Sequence, residues 1–558
     1  MVAENINRKI LKLAFPNILS NLTVPLLGMV DIALSGHLDN SYAIGAIAVG
    51  TTVFNLIYWN FSFLRMGTTG LTAQSNGKGD TEAMGRNLSQ SVCIALIASI
   101  IILALQKPLL SLSLSVLVLD EHLTNYVTTY YSILIWGAPA LLCTYALNGW
   151  LIGMQNTWLP MVISIVTNVT NIAVSAGLVL CGNMGISGIA IGTLVSQCLG
   201  VILLAIGAFV LYIRKGHVVL PRYFSDIKVD LGGYFGTNIH IFLRTFLLAT
   251  VSLFFTYSGS HQGAMVLAGN ALLYQFFTFF SYFIDGFAFA GEALVGHYYG
   301  MKERAFLKKS IRLLVIWGAG LAVVSSLLYL IFGNDFLAIL TDKTEIISFI
   351  QPYLPWVYII PIMGFLAFIY DGVFVGVTAT REMFISMLVA VVVFCILYYI
   401  SPFADINHSL WFAFVIYLLI RGIVQLFISK RLEGIGCPFL YTYYLSIGST
   451  IMDNRDKINM ILKETFPNGL LSSFTTSKDI TGRSEKVYLN SVMRIESSLT
   501  LSEIQTLTKQ MEAECGRDRA SNEVALDIDV VLQDGHILRE KDYSRDYFQN
   551  GYKEISHI

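Results

Sequence analysis

Six ionisable side chains fall inside long apolar runs: Asp31, Arg244, Asp285, Glu292, Asp371 and Arg421. A charge in hydrocarbon costs several kcal/mol, so such residues mark ion or substrate pathways. Their depth separates them. Glu292 and Asp371 stand near the expected ends of their helices, where they could reach water or basic loops, and Arg244 and Arg421 can snorkel or pair with those carboxylates. Asp285 and Asp371 are the secondary transport candidates. Asp31 stands apart, because no Lys or Arg shares the apolar part of its helix. Pro25, six residues earlier, removes a backbone donor and kinks the helix. A lone carboxylate can cycle between protonated and charged forms, and beside a kink its charge would bias the helix between bent and straight shapes. Asn168, Asn171, Ser175 and Thr193 supply uncharged oxygens suited to a hard cation, and equally suited to hydrogen bonds between helices. A second cluster lies far along the chain. Asp527 and Asp529, at i and i+2 of an expected strand, point to one face, as two carboxylates must to hold Mg²⁺ against a nucleotide's phosphates.

These residues belong to two different kinds of chain. Of 558 residues, 55% are hydrophobic and 13% charged, with a mean hydropathy of +0.64 and a formal net charge of −1. A soluble domain is about 25% charged. An ordinary soluble protein, a disordered chain and a nucleic-acid binder are thereby excluded, the last for want of a basic surplus. The average conceals a split: 41 of the first 440 residues are charged, about 9%, against 32 of the last 118, about 27%. Seven scattered cysteines (Cys93, Cys143, Cys181, Cys198, Cys395, Cys437, Cys515) include no CxxC pair, which argues against a zinc site or disulfide framework. Buried apolar filling is expected of them.

A bilayer core needs about 20 apolar residues per helix. Twelve runs qualify, at approximately 10–36, 43–65, 87–106, 127–150, 158–181, 187–213, 235–259, 265–291, 308–333, 347–374, 382–401 and 409–429. The first is too long for a secretory leader and lacks a small-residue cleavage site. With the N-terminus inside, seventeen Lys and Arg flank the spans on that side, and the outer loops carry only Lys107 and Lys343. The positive-inside rule then places both termini in the cytoplasm. An internal repeat is also visible. Asn148-Gly149-Trp-Leu-Ile-Gly153 with Thr157 returns as Asp371-Gly372-Val-Phe-Val-Gly376 with Thr380, at a constant offset of 223. Six helices per repeat is an even number, so the halves run the same way and are related by an axis along the membrane normal. The expected organisation is an N-lobe over 1–213, a cytoplasmic linker over 214–234, a C-lobe over 235–432, a short linker over 433–440 and a cytosolic domain over 441–558.

The first 432 residues resemble the multidrug and toxic compound extrusion (MATE) family, in its DNA-damage-inducible branch. The resemblance rests on Met29-Val30-Asp31 to Gly36, Phe63-Leu64-Arg65-Met66-Gly67 to Gln74, Trp136-Gly137-Ala138-Pro139, Asp285-Gly286-Phe287-Ala288 and Asp371-Gly372 to Arg381-Glu382-Met383. It implies an all-α polytopic membrane protein of 12 transmembrane helices in two six-helix lobes. It further implies an antiporter that expels organic, often cationic, drug-like compounds from the cell across the inner membrane in exchange for H⁺ or Na⁺. The family's first-helix aspartate matches Asp31, its fifth-helix asparagine Asn171 and its sixth-helix threonine Thr193. Where many relatives carry a second aspartate this chain has Ser175, which tilts the coupling ion towards H⁺.

The tail alternates as β-α-β-α-β, with strands near 444–449, 487–496 and 524–532, one helix carrying Asp453, Arg455 and Ile458, and another over 501–515. That order suggests a C-terminal ferredoxin-like α/β domain. It resembles hydroxymethyldihydropterin pyrophosphokinase through Leu445-Ser-Ile-Gly448-Ser449, Tyr488-Leu-Asn490, Glu512 to Arg519 and Leu526-Asp527-Ile-Asp529. The resemblance implies that Tyr488 and Asn490 border a pterin, that Glu512, Arg517 and Arg519 face ATP, and that Asp527 and Asp529 hold Mg²⁺. Three departures weaken catalysis. The loop that in the family carries further arginine and tryptophan is shortened to 520–526 with no positive charge, and the family's later histidine and arginine are Ser544 and Asn550. Phosphoryl transfer depends on positive groups at the transition state, one of which is worth about 10³ or more in rate. The expected protein is therefore a monomeric exporter whose tail is a slow enzyme or a pterin or nucleotide sensor. A lipid or oligosaccharide flippase is the alternative for the membrane part.

Overall fold

The structure is a computed structural model that describes residues 5–36, 41–116, 121–221, 231–432, 441–478, 487–497, 499, 501–516, 524–533 and 535–556. Two compact units result, residues 1–301 with 307–434 and residues 302–306 with 435–558.

Among the described residues of the first unit, eleven helices are long and apolar enough to cross a bilayer. Ahead of them stands α1 (Ile6–Gly36), with Pro16 and Pro25 inside it. The N-lobe continues as α2 (Ser41–Trp59), α3 (Phe63–Lys78), α4 (Thr81–Ala104), the short α5 (Gln106–Val116), α6 (Glu121–Leu134), α7 (Ala138–Gly153), α8 (Trp158–Ala176) and α9 (Gly185–Ala208). The C-lobe comprises α10 (Leu231–Gln262), α11 (Ala264–Gly300), α12 (Arg304–Leu340), the short α13 (Thr344–Ile350), α14 (Leu354–Gly376), α15 (Thr380–Tyr399) and α16 (Ile406–Leu432). Helix type agrees with the hydropathy reading, but several ends lie further out. The second span runs on through a 3₁₀ turn at Asn60–Ser62 to Lys78, and α11 runs to Gly300 rather than stopping near residue 291. Gly, Thr and Gln in 67–74 read as a loop by hydropathy. They are helical because α3 packs inside the protein, where small residues allow close approach. Gly79 then ends α3 in the left-handed conformation, and the Asp80 side chain caps α4 on the N–H of Ala83 at 2.9 Å.

The repeat is present in the packing itself. A Cβ on Gly149 would stand 2.3 Å from the carbonyl of Arg65, and one on Gly372 would stand 2.2 Å from the carbonyl of Ala288. Both members of each pair are displaced by 223. Where the lobes meet, Gly77 abuts the carbonyl of His297 and Gly300 abuts that of Gln74, again at the same offset and now reciprocally. Positive φ recurs at Gln155 and Thr378, and at Gly79 and Lys302. Thus α3 pairs with α7 as α11 pairs with α14, and α3 meets α11 across a pseudo-two-fold axis.

In the second unit, β1 (Tyr441–Ser449), β4 (Val487–Ser497) and β5 (Asp527–Gln533) form the centre of an antiparallel sheet ordered β2-β4-β1-β5-β6, with the short β2 (Leu470–Leu471) and β3 (Thr475–Lys478) both on β4 and β6 (His536–Ile537) on β5. This is the ferredoxin-like order; the β2, β3 and β6 strands are too short to read from alternation. Alternation sorts the faces. Tyr443, Leu445, Ile447, Met493, Ile495, Ile528 and Val530 pack under α17 (Arg455–Thr465) and α18 (Leu501–Glu514). Tyr444, Val492 and Val531 face the other way, against Phe548 and Ile555 of α20 (Asp546–Ser556), which follows the single turn α19 (Glu540–Tyr543). The cysteines do not all fill cores: Cys143 and Cys515 are buried, whereas Cys181, Cys198 and Cys395 lie on the outer surfaces of the helices and Cys437 lies outside the described residues.

Candidate functional sites

A cavity of about 490 Å³ lies where the two lobes meet. Six charged side chains line it: Arg65 of α3, Arg244 of α10, Asp285 and Glu292 of α11, Asp371 of α14 and Arg421 of α16. One turn of α11 separates Asp285 from Phe289, and a second brings in Glu292, so the helical period sets all three on the cavity side. Arg65 grips Glu292 in a two-pronged pair from the opposite lobe, Nη1 to Oε2 at 3.0 Å and Nη2 to Oε1 at 3.3 Å. Its guanidinium lies 3.9 Å from the ring centre of Phe289. Asp371 is shared: Arg244 Nη2 and Arg421 Nη2 both donate to Oδ2, while Gln425 Nε2 donates to Oδ1 at 2.6 Å. Among the described residues Asp285 has no hydrogen-bond or ion-pair partner.

This arrangement corrects the depth reading of the sequence. Glu292 and Asp371 do not reach water or the basic loops; they are 1% and 6% exposed and bound to arginines inside the unit. Arg244 and Arg421 take the second of their two expected roles: they pair with Asp371 rather than snorkel, their side chains being 12% and 2% exposed. Arg65 is absent from the six intramembrane charges read from the sequence, because hydropathy ended its helix at that residue. Its signal was the continuation Met66 to Gln74, which has no turn residue other than the helix-tolerated glycines.

The uncharged set of the N-lobe closes upon itself. Asn171 Nδ2 donates to Thr193 Oγ1 at 3.0 Å, Ser175 Oγ to Asn171 Oδ1 at 3.3 Å, and Thr193 Oγ1 to the carbonyl of Ile189 at 3.1 Å. These bonds join α8 to α9, and Gly192 leaves the room that Ser175 occupies, for a Cβ there would stand 2.1 Å from its Oγ. Asn168 Nδ2 is buried without a partner among the described residues. Helix α1 packs alongside, Thr23 Oγ1 lying 3.4 Å from Ser164 Oγ. Pro25 and Asp31 both belong to α1, but the side chain of Asp31 lies outside the described residues.

The second site is one face of the tail sheet. In register, Gly448 sits between Asn490 on β4 and Asp527 on β5, and Ser446 lies beside Asp529. Strand parity puts Tyr488, Asn490, Gly448, Asp527 and Asp529 on the same face. Gly448 leaves that face open, since the nearest atom to a Cβ there is Asn490 Oδ1 at 3.7 Å. Asn490 is held by Nδ2 donating to Ser477 Oγ at 2.7 Å. Burial, and then the like charge of Asp527, push the Asp529 carboxyl above its usual range, while Arg539 pulls it back. Arg539 Nη1 reaches Asp529 Oδ2 at 2.6 Å and Asp542 at 3.5 Å, and Arg545 pairs with Asp542 at 3.1 Å. Two hard-oxygen carboxylates repelling one another on an open face fit a divalent cation. Glu512 has a different position from the one expected. It is 6% exposed and accepts the N–H of Ile528 at 3.0 Å, so it fixes the start of β5. Arg517 and Arg519 lie outside the described residues. Arg539 and Arg545, which the sequence reading passed over, are the described cations nearest the acidic pair.

The MatE family model matches residues 16–176 and 241–400, and the model of 7,8-dihydro-6-hydroxymethylpterin-pyrophosphokinase matches 444–556. The chain is 35% identical over 431 residues to the DNA damage-inducible protein F of Escherichia coli, an alignment covering 75% of this chain and 91% of that protein. It is 23% identical over 350 residues to a probable multidrug resistance protein NorM of Photorhabdus laumondii, covering 61% and 75%. Among solved structures, an outward-facing multidrug resistance MATE transporter superposes with a TM-score of 0.71 at 18% identity, over 77% of this chain and 96% of that one. A MATE structure in a bent conformation gives 0.69 at 17%, over the same shares. At such identities the likeness is one of fold.

Proposed function

The chain belongs to the MatE family of membrane transporters, and from that premise we propose that its helical unit exports small organic compounds across the inner membrane by antiport, with both termini in the cytoplasm. The observation that carries this reading is the inter-lobe cavity lined by buried carboxylates, at the point where a rocking of two symmetry-related lobes would open first one side and then the other. The inward-moving ion is H⁺. In support, the oxygens of Asn171, Ser175 and Thr193 are engaged in mutual hydrogen bonds, whereas Na⁺ would need several of them at once; a carboxylate such as Asp31 or Asp285 can carry a proton alone. Dye efflux from proteoliposomes tests both statements. An imposed pH gradient should drive it without Na⁺, and Asp31→Asn should abolish it while leaving the protein folded; full efflux in that variant, or a strict need for Na⁺, refutes the respective part. The relatives named above favour drug export and lend nothing to a lipid or oligosaccharide flippase.

For the tail we propose binding of a pterin and ATP with Mg²⁺, with little or no turnover. Asp527 and Asp529 would hold the metal, which supplies charge neutralisation on the phosphates. Tyr488 and Asn490 flank the open strip over Gly448 where a flat ring would lie, and Arg539 and Arg545 offer charge from one side. No described cation faces them from the shortened loop. Full-length protein with ATP, Mg²⁺ and hydroxymethyldihydropterin should bind both ligands by calorimetry and release AMP no faster than an Asp527→Ala control. Rapid AMP release would show a working enzyme instead.

A further inference from the structure

A second polar network lies outside the cavity, at the end of the C-lobe where α14 and α16 begin, and it turns on one histidine. Trp356 of α14 donates its indole N–H to Nδ1 of His408 on α16 at 3.0 Å. An indole nitrogen only donates, so Nδ1 must accept, and an imidazole that accepts at Nδ1 is the neutral form with its hydrogen on Nε2. That Nε2 lies 4.0 Å from Asp405 Oδ2, an oxygen that also accepts the hydroxyl of Tyr353 at 2.6 Å. The other oxygen of Asp405 caps the start of α16 on the N–H of Asn407 at 2.9 Å. Asn407 Oδ1 accepts from Asn270 Nδ2 of α11 at 2.7 Å, and Asn270 Oδ1 accepts from Trp411 at 2.9 Å. The two asparagines are buried, whereas the side chains of His408 and Asp405 are partly exposed, so the chain of bonds runs from solvent into the core. Rings enclose the imidazole: Tyr353, Phe403 and Trp356 have their centres at 4.6, 5.8 and 6.4 Å from its own. Asp405 and Tyr353 are the titratable groups set against it. The neighbouring ends of α10 and α15 bring His261, bonded to the carbonyl of Tyr257, and Tyr398, bonded to Ser258 at 2.9 Å. Asp342, Lys343 and Glu345, at the start of α13, are exposed.

From this we infer that His408 and Asp405 form a proton-binding site separate from the cavity, and that a single proton taken up there releases α14 from α16. A proton added at Nδ1 would set one donor against another, so the imidazolium must let go of Trp356. The anion at hand is Asp405, and the contact Trp356–His408 is exchanged for His408–Asp405, a charge-assisted bond. The two arrangements use the same residues and differ by one proton, which makes the cluster a two-state element biased by its ligand. Histidine is the side chain that ordinarily changes charge between pH 5 and 8, an interval that an outer medium spans. The side reached by the proton rests on the orientation proposed above: with the N-terminus inside, residues 341–353 and 400–406 face outward. An acidic outer medium then loosens the outer end of the C-lobe and a neutral one fastens it. Because Asp405 caps α16 and Asn407 reaches α11, the exchange is felt by three helices at once.

Trp356 itself reports the state, since an indole released towards water emits at longer wavelength. Emission of the full-length protein in detergent is recorded between pH 8 and pH 5, each chain against the same chain carrying Trp356→Phe, so that Trp356 alone is read. The unaltered protein should shift to longer wavelength in one transition as pH falls. His408→Asn keeps a neutral acceptor near the place of Nδ1 and takes up no proton, so it should stay at the shorter wavelength throughout. His408→Arg is charged and has no acceptor, so it should stay at the longer wavelength throughout. Asp405→Asn keeps an oxygen for the helix cap but removes the anion, and should move the transition to lower pH. Should His408→Arg fail to fold, the other two variants carry the test. No shift in the unaltered protein overturns the inference, as does a shift that survives in His408→Asn or an unmoved transition in Asp405→Asn. Dye flux in proteoliposomes separates this site from the transport reading. Dye exported by a protein whose Trp356 emission does not respond to pH refutes the proton site alone; the expected emission pattern with no dye moved refutes antiport alone.

Discussion

The pair Arg65–Glu292 crosses between lobes, and its removal from one side should cost far more than its removal from both. The side chain of Glu292 is 2% exposed and that of Arg65 17%. Breaking a buried pair by neutralising one partner leaves the other charge uncompensated, at about 3–5 kcal/mol, whereas replacing both with apolar residues of similar volume is often neutral. The partial exposure of Arg65 and its contact with the Phe289 ring place Glu292→Gln near the lower end, about 3 kcal/mol, which is over a hundredfold in an equilibrium constant. Arg65→Leu combined with Glu292→Leu should recover most of that loss. The assay is the apparent melting temperature of the full-length protein in detergent, followed by intrinsic fluorescence, for the unaltered chain, both single variants and the double variant. A loss in the double variant equal to the sum of the singles would refute the reasoning, because it would mean that the two groups are not coupled across the lobe interface. The same pair must part if the lobes rock about this seam, so the double variant should also transport at an altered rate while remaining folded.

Other expectations follow from single contacts. Gly149→Ala and Gly372→Ala each drive a methyl group to within 2.3 Å of a backbone carbonyl; each should destabilise by about 1–3 kcal/mol, and Gly177→Ala, with nothing within 4 Å, should not, all three being read by melting temperature. Glu512→Leu leaves the buried N–H of Ile528 without its acceptor, and should destabilise the tail by about 1–3 kcal/mol in chemical denaturation. The raised Asp529 carboxyl binds its proton more readily folded than unfolded, so without metal the tail should gain stability as pH falls from neutrality towards the ordinary carboxylate range. Divalent-cation binding should run the opposite way and weaken over the same interval; Asp529→Asn should flatten both profiles. Arg539→Ala frees Asp529 Oδ2 and removes a nearby positive charge, so calorimetry should show Mg²⁺ bound several-fold more tightly and ATP more weakly.

Hydropathy shows where helices cross a membrane but not where they stop. The polar run from Arg65 to Lys78 and the stretch of α11 beyond residue 291 are helical because they are packed against protein, and packing is invisible to a one-dimensional average. That error moved Glu292 from the lining of a cavity to the rim of a bilayer and left Arg65 out of the charged set; Asp371 is a separate case, since its helix ends at Gly376, close to the expected end, and it is buried by the arginines that bind it. In the tail, by contrast, the three long strands and two helices alternate with clear periods, and the face carrying Tyr488, Asn490, Asp527 and Asp529 follows from parity alone. What parity does not give is the pairing of Asp529 with Arg539, which comes from a neighbouring turn, or the inward rotation of Glu512.

The repeat makes the difference between the lobes explicit. At the offset of 223, which holds for the contacts of α3 with α7 and of α11 with α14, Arg65 corresponds to Ala288, Thr69 to Glu292, Asn148 to Asp371 and Ser62 to Asp285. Each charged residue of the cavity on these four helices therefore stands opposite a neutral one in the other repeat. Glycines and carbonyls at the helix crossings match because they set the distance between helices, and that distance must be equal for the lobes to pack symmetrically on one another. The charges differ because a symmetric cavity would put like charges face to face at close range. Duplication supplied the frame, and the departures from it are the charged residues that line the cavity: Asn148 Oδ1, buried without a partner among the described residues, occupies in the N-lobe the position that holds the shared carboxylate of Asp371 in the C-lobe. Asn148→Asp should accordingly introduce a second buried carboxylate with no arginine pair to hold it. The expected result is a loss of stability in the melting assay, larger at high pH than at low pH, and an unchanged melting temperature across that range would show that the neutral residue is not required there.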